Sequence, residues 1–377
     1  MLLNAADKAL WRLALPMIFS NITVPLLGLV DTAVIGHLDS PVYLGGVAVG
    51  ATATSFLFML LLFLRMSTTG LTAQAWGAKD PQRLARALVQ PLALALGAGV
   101  LIILLRLPLI DLALHIVGGS EAVLEQARRF LEIRWLSAPA SLANLVLLGW
   151  LLGVQYARAP VILLVVGNLL NIVLDLWLVM GLRMNVQGAA LATVTAEYAT
   201  LIIGLLMAKR VLTLRGVSLA MLKDAWRGDL RRLLALNRDI MLRSLLLQLC
   251  FGALTVFGAR LGSDIVAVNA VLMTMLTFTA YALDGFAYAV EAHSGQAYGA
   301  RDGSQLLEVW RAACRQSGMV ALAFALIYSL AGQYIIALLT SLPSLQQLAD
   351  RYRSCRWSAS GAICWTACLS ARRAALR

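Results

Sequence analysis

The chain has 377 residues, of which 60% are hydrophobic and only 13% charged, with 31 Lys and Arg against 19 Asp and Glu. Apolar runs recur along most of this length, and a membrane helix needs ~20 apolar residues, so the composition excludes a soluble enzyme and indicates a polytopic membrane protein. The net charge of +12 does not indicate nucleic-acid binding, because Lys and Arg gather in particular loops without interleaved aromatics; loop orientation and anionic lipid headgroups account for it.

Nine spans are expected, at 10–36, 46–74, 87–110, 130–153, 159–181, 187–208, 238–260, 264–291 and 312–334. The first run is too long for the core of a cleavable signal and reads as the first span. Within it Ser20, Thr23, Leu27 and Asp31 recur every three or four residues and so share one helical face. Pro25 supplies no N–H to the carbonyl of Asn21, which gives this helix a place to bend. In span two, Gly46 and Gly50 are expected to allow close helix packing, and Arg65, near the end of the span, to snorkel to the boundary.

Spans five and six carry polar stripes: Asn168, Asn171 and Asp175 in one, Thr193, Glu197 and Thr200 in the other. Spans one and five run in the same direction and span six returns. At ~1.5 Å rise per residue, Asp31, Asp175 and Thr193 all fall roughly 7–11 Å below the same set of helix ends. A charge at the centre of a span costs at least ~2.5 kcal/mol, so carboxylates at one depth point to a cavity that exchanges protons or binds a cation. The alternative is a purely structural polar network between helices. In span eight, Asp284 and Glu291 are candidates for a second polar site, with Glu291 close enough to the loop to be hydrated.

The loops around Lys79, Arg83 and Arg86, around Arg158, from Lys209 to Arg238, and around Arg301 and Arg311 alternate with loops poor in base. This alternation places the N-terminus in the cytoplasm; Arg128, Arg129 and Arg134, before span four, run against it. The octet Ala73-Gln74-Ala75-Trp76-Gly77-Ala78-Lys79-Asp80 is matched by Gly295-Gln296-Ala297-Tyr298-Gly299-Ala300-Arg301-Asp302, and Gly36 by Gly258 at the same offset. Such a match implies duplication, and six spans in the first half make the repeat parallel. A shared helix end, with Gly as the terminator and the Lys/Arg-Asp pair at the water boundary, is the simplest role for the octet.

The chain therefore divides into an amino-terminal six-helix lobe (1–210), a linker with an interfacial amphipathic helix (211–237), a second lobe (238–352) and a basic tail (353–377). His37, His115 and His293 are far apart and the five cysteines have no zinc or disulfide spacing, so neither a metal nor a cofactor is expected. The absence of a phosphate loop, nucleophile elbow or HExxH motif argues against a pump driven by ATP and against a hydrolase.

The stretch from Leu15-Pro16 through Leu27-Gly28-Leu29-Val30-Asp31-Thr32-Ala33-Val34-Ile35-Gly36-His37-Leu38 resembles the first helix of MATE (multidrug and toxic compound extrusion) transporters. So does the repeated Gln-Ala-Trp/Tyr-Gly-Ala-Lys/Arg-Asp motif, and Gly188-Ala189-Ala190-Leu191-Ala192-Thr193 is similar to that family's sixth-helix start; the likeness covers about residues 8 to 350. The resemblance implies an all-α fold of twelve helices in two pseudo-symmetric lobes, of which this chain supplies about nine spans. It also implies export of amphipathic, cationic organic compounds in exchange for H⁺ or Na⁺ by a monomer in the cell membrane. The family's coupling site maps to Asp31, Asn171, Asp175 and Thr193, with Asn168, Glu197 and Asp284 as secondary candidates. A further branch of the family uses acidic residues in the seventh helix; here that span has Gln248. The competing functions are a flippase for lipid-linked precursors and an inactive or scaffolding membrane protein. The resemblance ends near Asp350-Arg351-Tyr352, after which Arg and Cys crowd the sequence, so 353–377 is expected to be foreign to the fold.

Overall fold

The computed structural model describes residues 5–36, 41–156, 158–226, 230–261 and 263–339; within these, the side chains of 22, 25–33, 35, 36, 41, 60, 219, 230–232, 236, 251, 252, 254–261, 263–275, 278 and 336–339 lie outside the description. Among the described residues there are thirteen α-helices, and they assemble into nine units long enough to span a bilayer. The first lobe consists of α1 (Ala5–Gly36), α2 (Pro41–Leu60) continued by α3 (Phe63–Gly77), α4 (Pro81–Leu104), the short α5 (Arg106–Val117), α6 (Glu121–Arg134) continued by α7 (Ala138–Gly153), α8 (Arg158–Asp175) and α9 (Asn185–Leu214). After the short α10 (Leu219–Asp224), the second lobe supplies α11 (Leu230–Leu261), α12 (Ser263–Gly299) and α13 (Gly303–Leu339). The expected amphipathic linker is shorter than its sequence suggests: residues from Leu230 onward already belong to α11, and Gln90 of α4 donates to the carbonyl of Ala225 to hold the turn after α10. The expected change of character at 353 lies outside the described residues.

Apolar residues cover the outside of this bundle as well as filling its interior. Leu101, Leu104, Leu322, Leu326 and Leu330 are exposed on α4 and α13, where lipid covers them, while α7 is buried along nearly its whole length. In lipid the drive to associate comes from packing and hydrogen bonds, so small residues set how close helices come. A Cβ at Gly149 would lie 2.5 Å from the carbonyl oxygen of Arg65, and one at Gly99 would lie 2.3 Å from the Cα of Pro139. Gly46 and Gly50 do the same work against Gln126 and Phe130 of α6. The three arginines that run against the charge bias each carry an acidic partner: Arg128 binds Asp111, Arg129 binds Glu125 at 2.5 Å and Arg134 binds Glu197 at 2.8 Å.

The octets end both helices, as their sequence suggests, with α3 closing at Gly77 and α12 at Gly299, but their glycines have a further role. The residues in left-handed conformation at the ends of α3 and α12 are Lys79 (φ 53°) and Arg301 (φ 59°), not the glycines. The closing bonds are equivalent in both: Asp80 N to Ala75 O at 3.2 Å, and Asp302 N to Ala297 O at 3.0 Å. Asp80 and Asp302 then cap the next helices, accepting from Arg83 N and Gln305 N. The glycines serve the crossing of α3 over α12. A Cβ at Gly77 would sit 2.0 Å from Gln296 O, and a Cβ at Gly299 would sit 2.0 Å from Gln74 O. The contact is reciprocal between matched positions, so the pseudo-two-fold axis of the duplication passes through this crossing.

Gly77→Ala and Gly299→Ala are each expected to lower stability by about 1–3 kcal/mol, because the obstacle is a backbone carbonyl that no rotamer change can move. A single separation of α3 from α12 relieves both clashes, so the double variant should lose clearly less than the sum of the two. Thermal unfolding in detergent checks this; additive losses would mean that the two contacts are independent.

Candidate functional site

The polar stripe of α8 meets its neighbours as helical spacing requires. Asn168 Nδ2 donates to Thr23 Oγ1 of α1 at 2.6 Å, and Asn171 Nδ2 donates to Thr193 Oγ1 of α9 at 3.3 Å. Thr23 and Thr193 pass their own hydroxyl protons to backbone carbonyls of Ser20 and Ala189, which leaves their lone pairs toward the asparagines. Asn171 is 5% exposed and Asp175 1% exposed, so a carboxylate one turn beyond Asn171 is sealed from solvent. Immediately after Asp175 the helix widens into a π-helical turn, Leu176–Gly181, a local distortion often found where a helix does functional work. The structure thus joins Asn168 to Thr23 and Asn171 to Thr193, with Asp175 one turn beyond Asn171 on the same helix; the side chain of Asp31, and that of Pro25, lie outside the described residues.

Glu197 does not belong to this group. Arg134 reaches it with both terminal nitrogens, at 2.8 and 3.1 Å, the Ser141 hydroxyl donates to the same carboxylate, and Asn144 Nδ2 donates to the Glu197 carbonyl at 3.0 Å. It is the anchor that ties α9 to the break between α6 and α7. Its stripe position suggested a cavity residue, but the Arg134 partner, distant in sequence, carries no signal of the pairing.

A second group of charges sits where α3 crosses α12, and it departs from the expectation for Arg65 and Glu291. Arg65 does not snorkel: it is 5% exposed, and ~18 Å of helix separates it from Gly77 at ~1.5 Å per residue. Its guanidinium carbon lies 4.2 Å from the centroid of the Tyr288 ring, and Nη1 lies 3.9 Å from Glu291 Oε2. Glu291 is 8% exposed, buried rather than hydrated, and half-buried Asp284 lies one turn before Tyr288 on the same helix. Arg65 stands in register with Thr68, Thr69 and Thr72, all fully or nearly fully buried. That spacing of three to seven residues was the available signal that this face of α3 is polar and interior.

Toward the octet end the two lobes are sewn together. Arg315 of α13 binds buried Asp7 of α1, Trp11 Nε1 donates to Gln316 at 3.2 Å, and the Trp11 and Phe286 rings meet edge to face at 4.8 Å. Gln155 Nε2 donates to Gln296 Oε1 at 2.6 Å and lies 3.0 Å from His293 Nδ1, whose Nε2 is 3.2 Å from the carbonyl of Ala9. Asp7 and Gln155 escaped notice in the sequence because their partners are more than a hundred residues away.

Comparison with known proteins agrees with this architecture. The MatE family profile matches residues 16–177 and 240–371. DNA damage-inducible protein F of Escherichia coli (strain K12) is 87% identical over 350 residues, covering 93% of this chain and 76% of that protein. A crystal structure of MATE in the straight conformation superposes with a TM-score of 0.85 at 25% identity, over 99% of this chain and 83% of that one. A MOP superfamily transporter from Pyrococcus furiosus, described as having a binding pocket of reverse polarity, gives a TM-score of 0.84 at 25% identity, over 99% and 83% of the two chains. With two lobes joined about a pseudo-two-fold axis and a profile match across both, the chain belongs to the MatE family of multidrug and toxic compound extrusion transporters, multi-pass membrane proteins that are not enzymes.

Proposed function

We propose that this transporter exports amphipathic organic cations in exchange for H⁺, or for Na⁺, with Asp31, Asp175, Asn171 and Thr193 as its coupling site. The observation that carries the reading is Asp175: a carboxylate 1% exposed, one turn from an asparagine that bonds Thr193, at the point where α8 changes from α to π winding. A carboxylate out of water is costly unless a proton or a cation neutralises it, so such a group alternates naturally between holding one and holding the other. A proton arriving at the site would remove the charge that retains a cationic substrate. The Thr23–Asn168 bond carries that change to α1, whose octet-end half is locked between α12 and α13. The N-terminus, and with it the octet end, is assigned to the cytoplasm: Arg128, Arg129 and Arg134 of the opposite end are ion-paired, whereas Arg158, Arg301 and Arg311 gather at this one.

The Arg65–Glu291 pair is the second part of the reading. It joins the lobes at mid-membrane, and opening the octet end requires separating two buried opposite charges, a cost that binding events elsewhere must offset. Export of an anionic lipid-linked precursor is the competing reading, and buried Arg65 is the observation in its favour. Glu291 and Tyr288 already compensate that charge, so the cationic substrate remains the better fit.

In proteoliposomes, substrate-stimulated proton flux is expected to be lost in Asp31→Asn and in Asp175→Asn, and only weakened in Asn171→Ala, with all three folded and inserted. Wild-type flux in both aspartate variants would make the carboxylates structural. Arg65→Met and Glu291→Leu should each destabilise by about 3–5 kcal/mol by stranding a buried charge, whereas the double variant should regain most of that loss. Additive losses in the thermal unfolding of the three variants would show that the pair is not a pair.

A further inference from the structure

Beside the octet crossing lies a cavity of about 820 Å³ whose walls come from both lobes: Gln74 of α3 and Arg83, Arg86 and Gln90 of α4 on one side, Arg301 and Asp302 on the other. Most of the polar groups are accounted for. Asp80 holds Arg83 at 3.1 Å, and Gln90 is committed to the carbonyl of Ala225. The Gln305 N–H and the Ser304 hydroxyl hold the Asp302 carboxyl below the usual carboxylate range, so it stays charged and occupied with capping α13. That leaves Arg86, whose Nε is buried with no hydrogen-bond partner, and Arg301, which has no acidic partner among the described residues. Arg301 is held at the cavity by its left-handed backbone, pinned by the Asp302 N to Ala297 O bond.

Arg301 is the octet counterpart of Lys79, but Arg83 and Arg86 are not products of the duplication. At the offset that aligns the octets, the equivalents of Arg83 and Arg86 are Gln305 and Glu308, so the matching face of α13 carries no arginine. Cations that belong to opposite lobes repel one another as the seam closes, and a buried guanidinium N–H without an acceptor is itself unfavourable. An anion with several oxygens, placed between them, answers both. Guanidinium groups bind phosphate oxygens through paired N–H donors, and a phosphate group is the common anion at a membrane boundary.

We propose that this inter-lobe cavity binds a phosphate group, donated to by Arg86 from the first lobe and Arg301 from the second, and that its occupancy holds the octet end closed. The group arrives either as the headgroup of an anionic phospholipid or as free phosphate. Bound to one conformation and not the other, it shifts the balance between them by its differential affinity. The proposal is independent of the coupling site, because no coupling residue lines this cavity.

The test uses the full chain, with thermal unfolding followed in two arms. In one, the protein is in nanodiscs of phosphatidylcholine with or without phosphatidylglycerol. In the other, it is in detergent and titrated with inorganic phosphate against chloride at equal ionic strength. The variants are Arg86→Gln, Arg301→Gln, their double, the charge-conserving Arg86→Lys, and Arg311→Gln as an exposed control away from the cavity. Stabilisation of wild type and Arg311→Gln by phosphatidylglycerol alone, lost in the double variant, supports the proposal with a lipid source. Stabilisation by inorganic phosphate that disappears in the double variant supports it with a soluble source. Each single Gln variant should weaken the response about tenfold in ligand concentration, and Arg86→Lys less, since it keeps charge but loses the paired donors. Unfolding temperatures without ligand separate lost binding from lost folding. No stabilisation in either arm, or an equal response in wild type and double variant, overturns the proposal.

Discussion

The crossing of α3 over α12 is the contact on which the rest of this molecule depends. Two helix backbones approach so closely there that neither Gly77 nor Gly299 has room for a side chain, each facing the carbonyl of the glutamine that begins the other's motif. Because the contact is reciprocal, it fixes the relation of the two lobes about one axis. Everything else at the seam is arranged around it: the Arg65–Glu291 pair toward the membrane interior, and the Gln155, His293 and Gln296 contacts and the basic cavity toward the ends of the helices. Close backbone packing of this kind is bistable, since helices either fit at this distance or part, and small biases elsewhere can then decide which.

Two of the wholly or partly buried carboxylates are held by arginine. Glu197 is wrapped by Arg134, Ser141 and Asn144, and Asp7 by Arg315; these are fastenings within the folded state. Asp175 lies one turn beyond Asn171, whose amide bonds Thr193, and a distorted helix turn follows it. An arginine fork of the kind on Glu197 fixes the charge of a carboxylate. Arg65 is balanced by a carboxylate and an aromatic face, unlike Arg86 at the octet-end cavity, whose Nε has no hydrogen-bond partner.

Much of this was legible in the sequence, and the remainder was not for identifiable reasons. The nine spans follow from the lengths of the apolar runs, and the polar face of α8 from a spacing of three and four residues. The octets announced a duplication, but a glycine near a helix end reads the same whether it terminates the helix or admits another backbone. Only the partner helix distinguishes the two. Arg65 was misplaced because it was weighed alone and not with Thr68, Thr69 and Thr72 on its own face. The Glu197–Arg134 and Asp7–Arg315 pairs join residues far apart in sequence, and the π-helical turn after Asp175 has no compositional mark, so neither could be read in advance.

The central claim is that the octet seam opens and closes as coupling ion and substrate exchange. Spin labels at Gln82→Cys and Leu307→Cys, exposed positions near the starts of α4 and α13 on opposite sides of the seam, report this directly in proteoliposomes of a chain whose own cysteines are replaced. The account predicts a short distance and a longer one, with their proportions reversing as the ion gradient is inverted. A single distance that ignores the gradient and the substrate would contradict it.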